Sequence, residues 1–127
     1  MPDTRARVRQ NIRLKRIYEP SSENDGYRVL STRYWPRGVA GDAIDEYLRV
    51  LAPSTELLHA YRQGQLDWER FRHQYLYEMS REAAKAVIHR LAKVARAEVI
   101  TIMCVCADED HCHRSLLREL IAGFDEA

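Results

Sequence analysis

The most chemically active part of this sequence is a group of thiol, imidazole and guanidinium side chains between residues 103 and 115. It reads Met-Cys-Val-Cys-Ala-Asp-Glu-Asp-His-Cys-His-Arg-Ser. Cys112, His113 and Arg114 fall near the predicted start of the last helix, where unpaired backbone N–H groups and the helix dipole favour anions. A thiol in such a position, beside histidine or arginine, has its thiolate form stabilised, and the thiolate is the nucleophilic form.

Three interpretations of this segment stay open. In the first, Cys112 is a nucleophile, His113 is an acid–base group, and Arg114 holds a phosphate or carboxylate through its planar fork. In the second, the segment binds a metal such as zinc, with ligands drawn from Cys104, Cys106, Cys112 and His111 or His113. The spacing matches no common zinc signature, so we expect no metal and no other cofactor. In the third, the cysteines are small buried hydrophobes and Arg114 pairs with the acidic loop.

A second cluster, at residues 33–38, places two guanidinium groups around an aromatic ring in the order Arg-Tyr-Trp-Pro-Arg-Gly. Trp35 precedes a proline, which favours extended backbone and stiffens the loop. Because no carboxylate lies within several residues, Arg33 and Arg37 are candidate anion contacts, with pairing to acids elsewhere in the fold as the alternative. Candidate supporting residues of the whole site are Trp35, Cys106 and Asp108.

Three strands are predicted around these clusters. Ile12, Leu14 and Ile17 lie near alternate positions and indicate a first short strand. Residues 27–31 form a second candidate. The clearest strand is Val99–Val105, which is apolar on both faces apart from Thr101, as expected for a strand that is covered on both sides.

The middle and the end of the chain have helical spacing. A first helix is predicted over Asp45–Leu51, and Ser54, Asp67 and Ser80 are predicted N-caps of three more. An amphipathic stripe then predicts a final helix, with Leu116, Leu117, Leu120, Ile121 and Phe124 on its apolar face.

Strand, crossover helices, strand and helix in this order indicate an α/β fold. We predict a single three-layer α/β/α domain with a small, mainly parallel sheet over residues 12–127, after a flexible basic tail at residues 1–11. Ligands of such sheets bind beyond the carboxyl ends of the strands. We therefore expect a pocket between the loops at 33–38 and 106–114.

The composition restricts the classes of protein to which this chain can belong. A length of 127 residues suits one domain, and 46% hydrophobic with 31% charged residues is a globular balance. The longest apolar run is less than half of a membrane span, and the N-terminus lacks the apolar stretch of a signal peptide. Three cysteines crowded into one segment favour a reducing compartment. We expect a cytoplasmic protein without membrane contact.

Net charge argues only weakly about partners. The formal charge of +1 is too small to indicate nucleic-acid binding by itself. Residues 1–37 nevertheless hold nine Lys or Arg against four acids. A non-catalytic module that binds nucleic acid or a protein through this basic third is therefore the alternative to an enzyme.

The sequence also resembles a known family. The likeness is carried by four segments in order: Ile17–Pro20, Asp25–Leu30, Arg33–Gly38 and Leu51–Leu57. Together they closely resemble the domain of unknown function 488 family, the YeaO-like proteins, from about residue 14 to residue 121. The resemblance implies a small cytosolic α/β domain. Its Cys-Ala-acid and Cys-His-Arg pattern, matched here at 106–108 and 112–114, favours an enzyme without indicating a substrate.

Three positions depart from the family pattern. Thr32 stands where an aspartate is expected and Tyr34 where a leucine is usual, while Asp108 replaces the more common glutamate. The missing aspartate removes a possible partner of Arg33.

These observations lead to one functional hypothesis, an enzyme-like site for a small anionic ligand such as a phosphate or carboxylate. Its anion contacts would be Arg33, Arg37 and Arg114. Cys112 would be the nucleophile and His113 the acid–base group.

Overall fold

A short helix and three strands are followed along the chain by three helices, a fourth strand and a final helix. A computed structural model describes residues 4–106, 108 and 111–124. The helices are α1 (Thr4–Gln10), α2 (Thr55–Arg62), α3 (Trp68–Glu78), α4 (Glu82–Ala97) and α5 (His113–Ala122). The strands are β1 (Ile12–Arg16), β2 (Tyr27–Leu30), β3 (Glu46–Tyr47) and β4 (Ile100–Cys104). Short 3-10 turns lie at Glu23–Asp25, Gly41–Ala43 and Arg49–Leu51.

The strands form one parallel sheet in the order β1-β4-β2-β3. The central strand is β4, and its first residue, Ile100, is in register with Ile12 of β1 and with Tyr27 of β2. Every residue of β4 is buried, as the continuous apolar run predicts. The predicted small α/β domain with a mainly parallel sheet is confirmed, and all of the described strand pairs are parallel.

The two faces of the sheet are covered differently. Alternate residues such as Ile100 and Ile102 join a large core that contains buried residues from all five helices. Met103 points the other way and packs with Leu30 and Ile44 in a smaller cluster. Among the described residues, no α-helical side chain belongs to that smaller cluster, so loops and 3-10 turns form the outer layer on this face.

Residues 4–10, which we expected to belong to a flexible tail, form α1 instead. Val8 is buried in the main core, and α1 packs against α4 and α5. Arg9 Nε lies 2.8 Å from Glu119 Oε2 on α5. A single buried apolar residue gave too weak a periodic signal to predict this helix, because its stability comes from the neighbouring helices.

The other helices follow their predicted caps with two exceptions. Ser54 Oγ accepts a hydrogen bond from the Leu57 N–H, and Asp67 caps α3 in the same way. The predicted helix over 45–51 is wrong, because residues 46 and 47 pair with β2 as β3. Ser80 does not cap α4, which begins after Arg81. No helix in the described part of the chain is both long enough and apolar enough to cross a membrane.

Asp25 connects the turn before β2 to strands β1 and β4. Its carboxylate is 1% exposed and lies 3.0 Å from Lys15 Nζ. Burial would raise the pKa of Asp25, but hydrogen bonds from the Ser22 amide and Lys15 outweigh burial and lower it. Its backbone carbonyl also accepts a hydrogen bond from Thr101 Oγ1 of β4. This residue therefore fixes the entry of the chain into β2.

The next residue, Gly26, provides a test of this junction. It has a φ of 62°, and a Cβ added there would lie 2.1 Å from the Val99 carbonyl oxygen. Gly38 has a similar φ of 74° with no atom within 4 Å of such a Cβ. We expect Gly38→Ala to cost about 1 kcal/mol of unfolding free energy from backbone strain alone. Gly26→Ala should cost roughly 2 kcal/mol more, because the strand end must shift. Equal losses in urea denaturation would contradict the close approach.

Candidate functional site

The site lies at the carboxyl edge of the sheet, where β4 and β2 end side by side. Cys104 is the last residue of β4, and Ser31 follows β2 and continues the ladder by donating its N–H to the Met103 carbonyl at 3.0 Å. Cys112 has extended backbone and is the N-cap residue of α5, followed directly by His113 and Arg114. The strand end and the helix start thus bring the predicted reactive segment onto this edge.

The two buried thiols form a hydrogen-bonded pair. Cys104 Sγ and Cys112 Sγ are 2.9 Å apart, and the residues are only 1% and 3% exposed. Arg114 Nη1 lies 3.2 Å from Cys104 Sγ. The hydrogen bond from Cys112, supported by the charge of Arg114, lowers the pKa of Cys104 to about 7. The same bond, together with burial, raises the pKa of Cys112. The negative charge of the pair therefore resides on Cys104.

His113 is buried as a neutral imidazole. Its Nε2 lies 2.6 Å from the Ser31 carbonyl oxygen. Because a carbonyl only accepts hydrogen bonds, Nε2 carries the proton. Its other nitrogen, Nδ1, has a free lone pair and lies 3.8 Å from Cys112 Sγ. Burial lowers the pKa of His113 to about 4, so the ring stays uncharged at neutral pH.

The side chains of Cys106 and Asp108 make their described hydrogen bonds within the loop between β4 and α5. The strand ends at Cys104, and Cys106 Sγ turns toward the Asp108 carbonyl oxygen at 3.6 Å. The Asp108 carboxylate is 2.8 Å from His111 Nδ1, and the His111 ring meets Trp68 edge to face with centroids 5.2 Å apart. Both predicted supporting residues thus shape the loop between β4 and α5. Ala107 and residues 109–110 lie outside the described residues.

Of the candidate metal ligands, the structure brings three residues together. The ligand atoms of Cys104, Cys112 and His113 lie within 4.8 Å of one another, and all three residues are buried. Two thiolates on one tetrahedral zinc stand about 3.8 Å apart, as bond lengths near 2.3 Å require. The sulfur atoms at 2.9 Å are closer than this. A zinc ion bound by both cysteines would therefore require one of the two side chains to move.

A cavity of about 580 Å³ opens in front of the thiols. It lies between residues 32–37 on one side and residues 104–106 and 111–113 on the other, and α2 and α3 close its side. Both thiols, His113 and Cys106 line it, together with aromatic residues of the surrounding walls. Its size falls within the range of small-molecule sites.

The predicted anion contacts have three different environments. Arg33 lines the cavity, but its guanidinium donates to the Pro53 and Ala52 carbonyls at 3.1 Å. Arg114 is buried behind the thiols and also donates to the Lys15 carbonyl. Arg37 is exposed on the cavity wall.

Two contributors to the site were missed in the sequence. The sequence names Cys104 only as a possible metal ligand or a buried hydrophobe, although a thiol at the carboxyl end of a strand next to a Cys-His-Arg helix start is a usable signal. Arg62 also lines the cavity. It is the last residue of α2. Its position on the cavity wall depends on how α2 packs against the rest of the fold, and no local sequence pattern indicates that packing.

Comparisons with known proteins agree with the resemblance seen in the sequence. The family model DUF488-N3a, described as the active DUF488-N3 subclade, matches residues 12–123. The uncharacterised protein YeaO of Escherichia coli K12 is 35% identical over 116 residues, which cover 90% of this chain and 99% of YeaO. The uncharacterised protein Rv3073c of Mycobacterium tuberculosis H37Rv is 30% identical over 114 residues, covering 88% and 94%. No solved structure matches the chain significantly.

The buried imidazole makes folding sensitive to acid. His113 has an ordinary pKa of 6.5 and a folded pKa of about 4, so the unfolded state binds more protons between these pH values. Its stabilising contribution is complete above the unfolded pKa and is lost as the pH falls toward the folded one, by about 2 kcal/mol at pH 5. Between pH 7 and 5, His113→Gln should lose roughly 2 kcal/mol less unfolding free energy than the parent protein. The exposed His73→Gln is the control, and an unchanged pH dependence in the His113 variant would refute the neutral buried ring.

The thiol pair predicts one unusually acidic cysteine. We expect the ultraviolet absorbance of thiolate to show one group titrating with a midpoint of about 7. Cys104→Ser should remove that step, and Arg114→Met should move it to higher pH because the neighbouring positive charge is lost. Cys106→Ser should leave it in place. A step that disappears with Cys106 instead would contradict the assignment to the buried pair.

Proposed function

The chain belongs to the DUF488-N3a family, and on this premise we propose that it is an enzyme that binds a small anionic ligand in the cavity and displaces a leaving group from it with a cysteine sulfur. The bond from sulfur to the ligand forms as the bond to the leaving group breaks, and the leaving group departs with the electron pair. The observation that carries the proposal is the pair of hydrogen-bonded thiols that line the cavity beside Arg114. A structural cysteine pair has no need of a buried arginine beside it, whereas a reactive thiolate does. The description of the family as an active subclade supports the same conclusion.

Cys104 is the proposed nucleophile, in place of the Cys112 that the sequence suggests, because the negative charge of the pair resides on it. With a pKa of about 7, much of this thiol is thiolate at neutral pH. Cys112 donates its S–H to that thiolate across 2.9 Å. Arg114 is a positioning residue that holds Cys104 in its anionic form.

His113 takes a different role from the one that the sequence suggests. With a pKa of about 4, it is too weak a base to hold a proton at neutral pH. We assign it to packing against Cys112, whose sulfur lies 3.8 Å from Nδ1, since the one S–H proton of Cys112 is already donated to Cys104. The Ser31 carbonyl, which accepts from Nε2, fixes the position of the ring.

We assign anion binding to arginines whose guanidinium groups are not already hydrogen-bonded within the protein. Arg33 and Arg114 are engaged by carbonyl groups and by Cys104. Arg37 and Arg62 line the cavity, and their guanidinium groups have no ion pair or hydrogen bond to any residue that the structure describes. We therefore propose Arg37 and Arg62 as the ligand contacts, with Arg33 bracing the wall.

The alternative of a nucleic-acid binding module has less support. Much of the basic N-terminal third is already paired with acids. Arg5 and Arg9 pair with Glu119, and Lys15 pairs with Asp25. Such pairs leave fewer free charges to displace counterions from a phosphate backbone.

Two alkylating reagents of the same size test the proposal. Iodoacetate is anionic and iodoacetamide is neutral. In both reactions the thiolate sulfur bonds to the CH₂ carbon of the reagent and iodide leaves. We expect the iodoacetate-to-iodoacetamide rate ratio at Cys112 or Cys104 to exceed that at Cys106 by at least about tenfold, because cations concentrate the anion in the cavity. Mass spectrometry of the modified peptides gives each rate separately.

Variants separate the anion contact from the thiol chemistry. Arg37→Ala combined with Arg62→Ala should lower the ratio at the buried pair toward that at Cys106, while Arg70→Ala, an exposed arginine on α3 outside the cavity wall, should not. Cys104→Ser should remove the fast reaction of the buried pair with both reagents. If Cys104 and Cys112 stay inert until the protein unfolds, the nucleophilic role is wrong.

A further inference from the structure

Exposed aromatic side chains are concentrated around the cavity. Tyr18, Tyr34, Trp35 and Tyr77 are the large hydrophobic residues that remain exposed in the described part of the chain. The first three line this cavity, and Tyr77 lies elsewhere on α3. Leaving apolar rings in water is unfavourable unless a ligand covers them, so this distribution marks a binding surface.

One wall of the cavity holds its rings in fixed positions. Trp35 Nε1 donates to the Val39 carbonyl at 3.0 Å, and its ring meets Tyr47 edge to face with centroids 5.4 Å apart. The neighbouring Tyr34 is 61% exposed, with its hydroxyl 3.4 Å from Thr55 Oγ1. A ring that is held at its polar tip and exposed on its body is well prepared to stack against a flat ligand.

The wall formed by the helices has the same composition. Tyr61 of α2 packs on Phe71 of α3 with centroids 4.5 Å apart, and both rings line the cavity. Arg62 follows Tyr61 directly, just as Arg37 follows Trp35 after one proline. Each wall thus offers aromatic surface and one guanidinium without a described partner.

We propose that the ligand is a small molecule in which a flat aromatic ring is joined to an anionic group. The ring stacks on Tyr34 and Tyr61, and the anion binds Arg37 and Arg62. A bare phosphate or acetate would leave the aromatic surface uncovered, and a neutral ring would leave both cations unpaired. The proposal rests on the function proposed above, since the same cavity delivers the ligand to the thiols.

Calorimetric titration with matched probes tests this ligand class. AMP is compared with adenosine and ribose 5-phosphate, and indole-3-acetate with indole and acetate. We expect at least one complete probe to bind at least about tenfold more tightly than either of its two fragments, because ring stacking and ion pairing then act together. Fragments that bind as tightly as both complete probes, or no binding of either complete probe, would overturn the proposal.

Two pairs of variants locate the interaction. Tyr34→Ala should weaken the complete probe about tenfold and leave the anion-only fragment unchanged, while the exposed Tyr77→Ala should change neither. Arg62→Ala should weaken the complete probe by a similar factor and leave the ring-only fragment unchanged, with Arg70→Ala as its control. Equal effects of the cavity variants and their controls would place the ligand outside this cavity.

The titrations and the alkylation experiment fail independently. Probe binding is measured without any covalent step, so inert thiols would leave the ring-and-anion site standing. Conversely, thiols that react preferentially with iodoacetate, in a protein that binds neither complete probe, would keep the anion-binding enzyme and remove only the aromatic part of the ligand.

Discussion

The site depends on the parallel pairing of β4 with both β1 and β2. Parallel strands that share a register end at the same edge, so the backbone carbonyls of Lys15 and Ser31 lie on either side of Cys104. Arg114 binds the first carbonyl and His113 the second. The start of α5 is thereby fixed to three strands. This holds the thiol of Cys112 against Cys104. An antiparallel β4 would bring none of these groups together.

The sequence predicts those parts of the fold whose causes are local. The apolar run of β4 and the side-chain caps at Ser54 and Asp67 could be identified because burial on both faces and N-capping leave marks within a few residues. The helix α1 and the strand β3 leave no such marks. The first needs the surface of α4 and α5, and the second exists because two residues complete the edge of the sheet beside β2.

The same distinction applies to the site. Cys112, His113 and Arg114 are adjacent in sequence, so their grouping was predictable, but their ionisation states depend on groups that the fold supplies. Cys104 becomes the anionic partner because Cys112 donates to it and Arg114 reaches it, and burial keeps the ring of His113 neutral at neutral pH. Arginines could be recognised as candidate ligands, yet only tertiary structure separates those that bind backbone carbonyls, such as Arg33, from those left facing the cavity.

The position of Arg114 couples chemistry to architecture. One guanidinium nitrogen bridges the end of β1 and the sulfur of Cys104, while the buried Nε has no partner among the described residues. Docking of the last helix therefore draws part of its electrostatic stabilisation from the charge on the Cys104 sulfur. Loss of that charge, by alkylation or oxidation, should weaken the docking of the helix. The thermal stability of the whole protein thus becomes an indicator of the chemical state of a single sulfur.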